Sequence, residues 1–346
     1  MLAVPAAAAG QTAVAPPPTP EPTRVGVTIF ADYTVTETPK VTDANGNLVT
    51  LNGFNLTRSY INVTGAITPR ISFRVTPDIV RNSDSAGALA GNLVFRIKYA
   101  FAQFRLGADT NVRLGIQPTP LIDGQEGVYR YRFQGTSFAE REGGLQSADV
   151  GLTVSKPLPS GFGDVFVGVY NGEGYTRPEV NQMKALMMRA TVRPLRNHDV
   201  GKGLRLIGYY HVDSYAKTLP RTRAAASAMF EHTRFNAGVD FMQRVDQPTP
   251  ASVETTGRGV SFFVTPFFQE KGNGLEGLLR FDSFDPDVDI AGKRNRLIAG
   301  LAYWFPKPGG GTAALLAHME QVRMSGPLVP MRTTERRFTL NMLITF

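Results

Sequence analysis

Basic residues recur in this sequence at positions that alternate with apolar ones, and this spacing gives them one common face. Residues of this kind are Arg74, Arg96, Lys98 and Arg113. Two more, Arg130 and Arg132, lie two positions apart in a long polar stretch, so in an extended chain they point the same way. Guanidinium and ammonium groups attract anions and form strong charge-assisted hydrogen bonds with them. These six side chains are therefore candidates for a site that binds or guides anions.

A second candidate chemistry rests on a histidine next to an acid. In "YHVD", His211 and Asp213 share one side of an extended chain, which would suit a hydrolase. No serine with a recognisable partner accompanies them, and the chain has only 4 histidines. We therefore expect no catalytic residues and no enzyme, and keep a hydrolase that uses His211 as a minor alternative.

Metal, cofactor and nucleic-acid sites are poorly supported. Asp285, Asp287 and Asp289 have calcium-like spacing, but Ile290 stands where the loop needs glycine. "GNGLEG" (272–277) matches a dinucleotide pattern, yet it opens a strand rather than a helix. The chain contains no cysteine, and its basic residues are spread along strands instead of forming one patch. We expect no metal, no cofactor and no nucleic acid.

The elements that position the basic residues follow a period of two. In "VFRIKYAFAQF", the side chains of Phe95, Ile97, Tyr99 and Phe101 fall on one face, opposite Arg96 and Lys98. Similar alternation, punctuated by glycine and proline, continues along most of the chain from Arg24 onward and predicts β-strands. The last stretch, "RRFTLNMLITF", alternates to its final residue, Phe346.

Connection lengths predict how many strands there are. Long links follow odd strands counted from the start, with 37–52 as the first, and short links follow even ones. Counting strands back from the end gives the same alternation of long and short links only if 221–245 forms two strands, with a tight turn near His232 and Thr233. The total is then sixteen, the even number expected of a transmembrane antiparallel β-barrel with both termini in the periplasm. A soluble β-sandwich or propeller is the alternative all-β fold.

The parity of the strands predicts a positive lumen. Ten basic residues fall opposite the apolar residues of their strands, against four acids of matching parity: Asp32, Asp149, Glu276 and Asp282. An arginine facing lipid near mid-membrane costs about 2–4 kcal/mol, so these groups must face inward or lie near strand ends. Sixteen strands leave room for an aqueous channel, and positive side chains along it favour anions. The net charge of +8 has the same sign.

The first residues differ in composition from the rest. Positions 1–9, "MLAVPAAAA", look like the remnant of a signal peptide, although a plain alanine-rich terminus is an alternative. Positions 10–23 include "PPPTPEPT" and are typical of an extended, proline-rich periplasmic linker. The barrel is expected to occupy 24–346.

Several segments resemble the phosphate-selective porin O/P family. They are "FNLTRSYINVTGAITPRISFRVTPDI" (54–79), "VRLGIQPTP" (112–120), "VGVYNGEGY" (167–175), and "LLRFDSFDPD" with "RNRLIAGLAYWFP" (278–306). The resemblance implies a sixteen-stranded, usually trimeric porin of the bacterial outer membrane, anion-selective in its best-known members. It also implies outer-membrane lipid and lipopolysaccharide as neighbours of the barrel.

The longest connection, 119–146, is too long and too polar for a simple surface link. In sixteen-stranded porins the loop in this place folds into the barrel and narrows it, so we expect Arg130 and Arg132 at a constriction. An outer flap whose arginines meet lipopolysaccharide phosphates is the alternative. The expected function is passive diffusion of small hydrophilic solutes, preferring anions, with phosphate as one candidate. The main alternative is a channel of the same fold for sugars or other organic molecules.

Overall fold

The chain forms one closed antiparallel barrel of sixteen strands in which β1 pairs with β16. The computed structural model describes residues 22–82, 88–107, 109–306, 309–327 and 334–346. Positions 1–9 and most of the expected linker at 10–23 lie outside the described residues. The strands are β1 (Arg24–Thr42), β2 (Leu48–Thr68), β3 (Ile71–Arg81), β4 (Leu93–Leu106), β5 (Thr110–Pro118), β6 (Ala148–Pro157), β7 (Gly163–Tyr170), β8 (Ala185–Val192), β9 (Leu204–Ala216), β10 (Leu219–Glu231), β11 (Phe235–Asp246), β12 (Thr255–Pro266), β13 (Gly274–Asp285), β14 (Lys293–Trp304), β15 (Thr312–Ser325) and β16 (Thr334–Thr345).

Sixteen strands and the all-β barrel are confirmed. Residues 221–245 form two strands, as predicted, because β10 ends at Glu231 and β11 begins at Phe235. The final strand closes the barrel, with Phe346 N–H donating to Val27 O at 3.0 Å and Val27 N–H donating to Phe346 O at 2.8 Å. We call the barrel end that holds Arg24 and Phe346 the terminal mouth.

Apolar side chains cover the outer face of the barrel. In β6, Val150, Leu152 and Val154 are 38%, 49% and 44% exposed, whereas Asp149 and Thr153 on the other face are buried. Such an arrangement reverses that of a protein in water, in which large apolar side chains are mostly inside. It suits a barrel that meets hydrocarbon outside and has a polar interior.

Two connections differ from the expected alternation of lengths. The first link is not a long loop, because β1 and β2 run on as a hairpin of 19 and 21 residues around a turn at 43–47. About 9–11 residues suffice to cross a membrane, and mutual hydrogen bonding lets the two strands continue beyond it. Further along, only residues 217–218 join β9 to β10, while the link at 193–203 on the terminal side is longer.

A β-bulge in β4 overturns the predicted faces of two aromatic residues. Thr76 pairs with Tyr99 but Pro77 pairs with Ile97, so Lys98 is an extra residue in the ladder. Proline has no N–H to donate, which favours such an irregularity. Beyond the bulge the parity changes, and Tyr99 and Phe101 share the inner face with the guanidinium groups of Arg74 and Arg113. The alternation could not reveal this change.

The buried apolar cluster lies inside the barrel, against the connection between β5 and β6. This connection carries α1 (Pro120–Tyr129) and α2 (Phe138–Arg141). Tyr129 packs edge-on against Phe263 of the wall, and Tyr131 and Phe133, which stack on each other, pack edge-on against Trp304. Among the described residues, no helix is long and apolar enough to cross a membrane.

Candidate functional site: the narrowed lumen

The segment between β5 and β6, which we call the inner loop (119–147), lies within the barrel and is hydrogen-bonded to its wall. From β11, Asn236 Nδ2 donates to Val128 O at 2.8 Å. From β8, Arg189 Nη1 donates to Pro120 O at 2.7 Å. Gln125 Nε2 of the loop donates to Asp240 Oδ1 at 2.7 Å. These bonds hold the loop against the β8–β11 side and narrow the lumen there.

The local sequence explains why the inner loop folds as helices instead of the extended stretch expected. Pro120 occupies the first turn of α1, where its missing N–H costs nothing. Ser137 caps α2 by accepting a hydrogen bond from Glu140 N–H at 3.3 Å. Arg130 ends α1 in the left-handed region, with φ of 64°. Because the chain turns at Arg130, the side chains of Arg130 and Arg132 do not point the same way, and they contact different carboxylates.

Arg130 anchors the inner loop to β13 and β14. Its Nη1 lies 3.2 Å from Glu276 Oε1, and its guanidinium carbon lies 4.4 Å from the centre of the Trp304 ring. The Tyr131 hydroxyl donates to the other oxygen of the same carboxylate at 2.8 Å. Because Glu276 neutralises Arg130, this arginine adds little free positive charge to the lumen.

Arg132 faces two carboxylates of its own loop. Its Nε lies 3.2 Å from Glu126 Oε1, and its Nη1 contacts Glu140. Burial tends to raise the pKa of Glu140, but Arg132 outweighs this and holds that pKa below the usual range. Burial prevails at Glu126 and raises its pKa in spite of Arg132. The two carboxyl groups on either side of one guanidinium therefore gain protons at different pH values.

The wall across the lumen from the loop carries another charged cluster. Arg58 and Arg96 both contact Asp78 Oδ2, at 3.3 and 2.9 Å. Lys98 is buried, and its Nζ donates to Ser147 Oγ at 3.2 Å, which joins β4 to the end of the inner loop. The Lys98 ammonium also lies 5.3 Å from the centre of the Tyr60 ring. Arg96 is thus paired, whereas Lys98 has neutral partners.

Tyr175 completes this cluster and was missed by the sequence reasoning. It belongs to the 171–184 connection, where its N–H donates to Ala148 O at 3.1 Å. Its hydroxyl accepts a hydrogen bond from Arg58 Nη1 at 3.4 Å, and its ring lies 5.0 Å from the Arg96 guanidinium carbon. The positive φ values of Gly172 and Gly174 form the turn that brings it there. The sequence signal was the pair of glycines just before this tyrosine, which marks a turn but not its direction.

Arg74 and Arg113 are the predicted arginines that have no carboxylate partner among the described residues. Arg74 donates to Asn62 Oδ1 at 2.9 Å and to Thr76 Oγ1 at 3.0 Å, and lies over Tyr99 at 4.4 Å. Arg113 Nε donates to Gln103 Oε1 at 2.7 Å, and its guanidinium lies 5.3 Å from the Phe101 ring centre. All these partners are neutral, so both arginines keep their full positive charge.

The opposite wall is different because its arginines are neutralised. Arg223 Nη2 lies 2.8 Å from Asp246 Oδ1, and Arg280 Nη2 lies 2.7 Å from Asp282 Oδ2. Arg189 Nη2 lies 2.5 Å from Asp164 Oδ1. These three arginines therefore add less free positive charge to the lumen than Arg74 on β3 and Arg113 on β5.

The other sequence candidates are placed as follows. His211 Nε2 lies 3.7 Å from Asp213 Oδ2, but that carboxylate is bound by Arg221, and neither ring nitrogen of His211 has a hydrogen-bond partner among the described residues. Within the same residues no group of His, Cys, Asp and Glu is arranged to hold a metal ion. The "GNGLEG" stretch forms the turn into β13, with Gly272 and Gly274 at positive φ.

Comparison with known proteins shows a shared fold. No protein-family model and no curated protein matches this chain. Among solved structures, an anion-selective porin from Comamonas acidovorans aligns with a TM-score of 0.66 and 11% identity, covering 94% of this chain and 100% of that one. OmpF of Salmonella typhi in complex with daunomycin aligns with a TM-score of 0.63 and 10% identity, covering 94% and 98%.

A third structure, a loop-deletion mutant of the outer membrane protein OmpT of Vibrio cholerae, aligns with a TM-score of 0.63, at 10% identity and 94% and 99% coverage. At such low identity the comparisons establish the fold alone. That fold is a porin-like β-barrel, and in this chain it has an apolar outer face around a charged interior.

Proposed function

We propose that this protein is an outer-membrane channel through which small hydrophilic solutes diffuse passively, with a preference for anions. One observation carries the anion preference: Arg74 and Arg113 face a lumen narrowed by the inner loop, and neither has a carboxylate partner among the described residues. In a water-filled lumen with low-dielectric walls, such charges raise the local concentration of anions and repel cations.

Phosphate belongs to the proposed solutes, as in the phosphate-selective porins that the sequence resembles. The paired state of Arg96, Arg130 and Arg132 favours a general anion preference over strict phosphate specificity. A homotrimer in outer-membrane lipid, with the terminal mouth toward the periplasm, is part of the proposal. The anion-selective porin from Comamonas acidovorans, which shares the fold, supports the same direction of selectivity.

A solute-specific channel for sugars or other organic molecules is the second candidate. The observation that favours it is the set of aromatic rings on the lumen side, namely Tyr99, Phe101 and Tyr175, because ring faces contact the flat sides of organic solutes. A hydrolase is less well supported, since Asp213 is occupied by Arg221 and does not orient His211 alone.

The test is the reversal potential of the purified protein in a planar bilayer with a potassium chloride gradient. We expect a reversal potential whose sign shows that chloride permeates more readily than potassium. Arg74→Gln and Arg113→Gln should each reduce the chloride-to-potassium permeability ratio severalfold. The matched control is Arg258→Gln, which removes the same charge from an exposed site on β12 and should leave the ratio unchanged. A potassium preference in the unmodified protein would overturn the proposal.

A further inference from the structure

Four arginines surround a cavity at the terminal mouth, away from the inner loop. The cavity measures about 630 Å³, and Arg24, Arg70, Arg74 and Arg105 are part of its lining. It lies between the first residues of β1, the β2–β3 turn and the end of β4. Only Arg74 is among the six basic residues that the sequence singled out; Arg24 and Arg105 lie at strand ends, and Arg70 lies in the β2–β3 turn.

Strand register explains why the guanidinium groups gather there. Arg24 pairs with Thr64, Thr64 pairs with Arg74, and Arg74 pairs with Phe101. These residues form one row across four strands, and strands lie about 4.8 Å apart. The backbones of Arg24 and Arg74 are therefore about 10 Å apart, close enough for two arginine side chains to contact one small molecule.

No carboxylate among the described residues forms an ion pair with any of the four. The polar partners of Arg74 are Asn62 and Thr76, and both are neutral. On the opposite side of the same mouth, basic residues are paired with a carboxylate: Arg205 contacts Glu231, which also binds Lys271 at 2.8 Å. Four like charges around one space repel each other, so a bound anion would stabilise the arrangement.

The size and lining of the cavity indicate what kind of anion fits. A volume of about 630 Å³ lies within the range of about 300–1,000 Å³ typical of pockets for organic small molecules. Ala66 and Phe101 contribute apolar surface beside the guanidinium groups. An inorganic ion would leave most of this space to water. An organic molecule that carries several negative groups would use both the charges and the apolar wall.

We propose that this cavity is a binding site for organic anions with two or more negative charges, carried by carboxylate or phosphate groups. The inference rests on the proposed channel function and adds to it a saturable site on the periplasmic side. Solutes of this class would be held at the terminal mouth by bidentate guanidinium contacts, in addition to being favoured by the general positive field.

The test is the sided block of chloride current through single channels. Because the chain has no cysteine, Asn45→Cys in the turn of the β1–β2 hairpin gives a unique thiol that reports the orientation of each inserted channel. Citrate, glycerol 3-phosphate and inorganic phosphate are added to one side at a time. The test variant is Arg24→Gln/Arg105→Gln, and the matched control is Arg205→Gln/Arg234→Gln, which removes two charges from the opposite side of the same mouth.

We expect citrate or glycerol 3-phosphate to block from the terminal side at lower concentration than inorganic phosphate. The half-blocking concentration should rise at least tenfold in the test variant and stay unchanged in the control. The inference fails if the block has no sidedness, if both double variants change it equally, or if inorganic phosphate is the strongest blocker. In each of these cases a chloride-selective reversal potential would leave the proposed function standing.

Discussion

At the scale of single residues, the group with the clearest effect is Glu126 in the inner loop. It shares Arg132 with Glu140, but the pKa of Glu126 is raised by burial whereas that of Glu140 is lowered by Arg132. As the pH falls, Glu126 therefore takes up a proton first, and the constriction loses one negative charge while Glu140 remains ionised. Lower pH should make the lumen more positive.

The expected result is a rise in the chloride-to-potassium permeability ratio as the pH is lowered from neutral into the range where Glu126 is protonated. Reversal potentials measured between pH 7.5 and 4.5 provide the check. Glu126→Gln at neutral pH should shift the ratio toward that of the unmodified protein at low pH and should reduce the pH dependence in this range. A ratio that falls on acidification would contradict this assignment of charge.

At the scale of elements, the inner loop depends on Glu276 of β13 for its fixed position. This buried carboxylate accepts hydrogen bonds from Arg130, from Tyr131 and from Gly272 N–H, the last at 2.6 Å. Removing one partner of a buried ion pair costs about 3–5 kcal/mol, because the other charge stays buried without compensation. The energy is lost at the contact between loop and wall, so the loop should loosen before the barrel opens.

Glu276→Ala should therefore give noisier single-channel currents with excursions to higher conductance, and a lower midpoint for unfolding by urea. Glu254→Ala is the control, since Glu254 is exposed in the 247–254 connection and should change neither measurement. Quiet currents in Glu276→Ala would show that the remaining contacts of the loop hold it without this anchor.

At the scale of the whole molecule, the decisive property is which face of the strands meets lipid. Leu152 points outward from the middle of β6, whereas Ser155 has the opposite parity. Arginine on the lipid side at mid-membrane costs about 2–4 kcal/mol. Leu152→Arg should lower the free energy of unfolding in lipid vesicles by about that amount, and Ser155→Arg by much less. Equal losses in urea titrations would mean that the outer face is not in hydrocarbon.

The sequence was sufficient to predict the architecture because a barrel repeats one simple pattern. Alternation and link lengths identified sixteen strands, including the turn between β10 and β11. The arrangement of side chains in the lumen depends on contacts between segments far apart in the sequence, and local sequence patterns do not show such contacts. The bulge at Lys98 follows from the pairing of β4 with Pro77, and Tyr175 reaches Arg58 from 117 positions away. Ion pairing, too, is visible only in three dimensions, so the sequence could not separate Arg74 and Arg113 from their neutralised counterparts.

The pairing of β1 with β16 bears on how such a chain must fold. A hydrogen bond between Thr345 and Thr28 links positions 317 apart, so the ring of strands cannot be completed until nearly all of the described chain is available. Before that moment the first and last strands each present a bare edge, which readily joins other chains. Contacts this distant in sequence also form slowly. Until β1 pairs with β16, both open edges are therefore exposed to aggregation, and a factor that covers them would protect the chain.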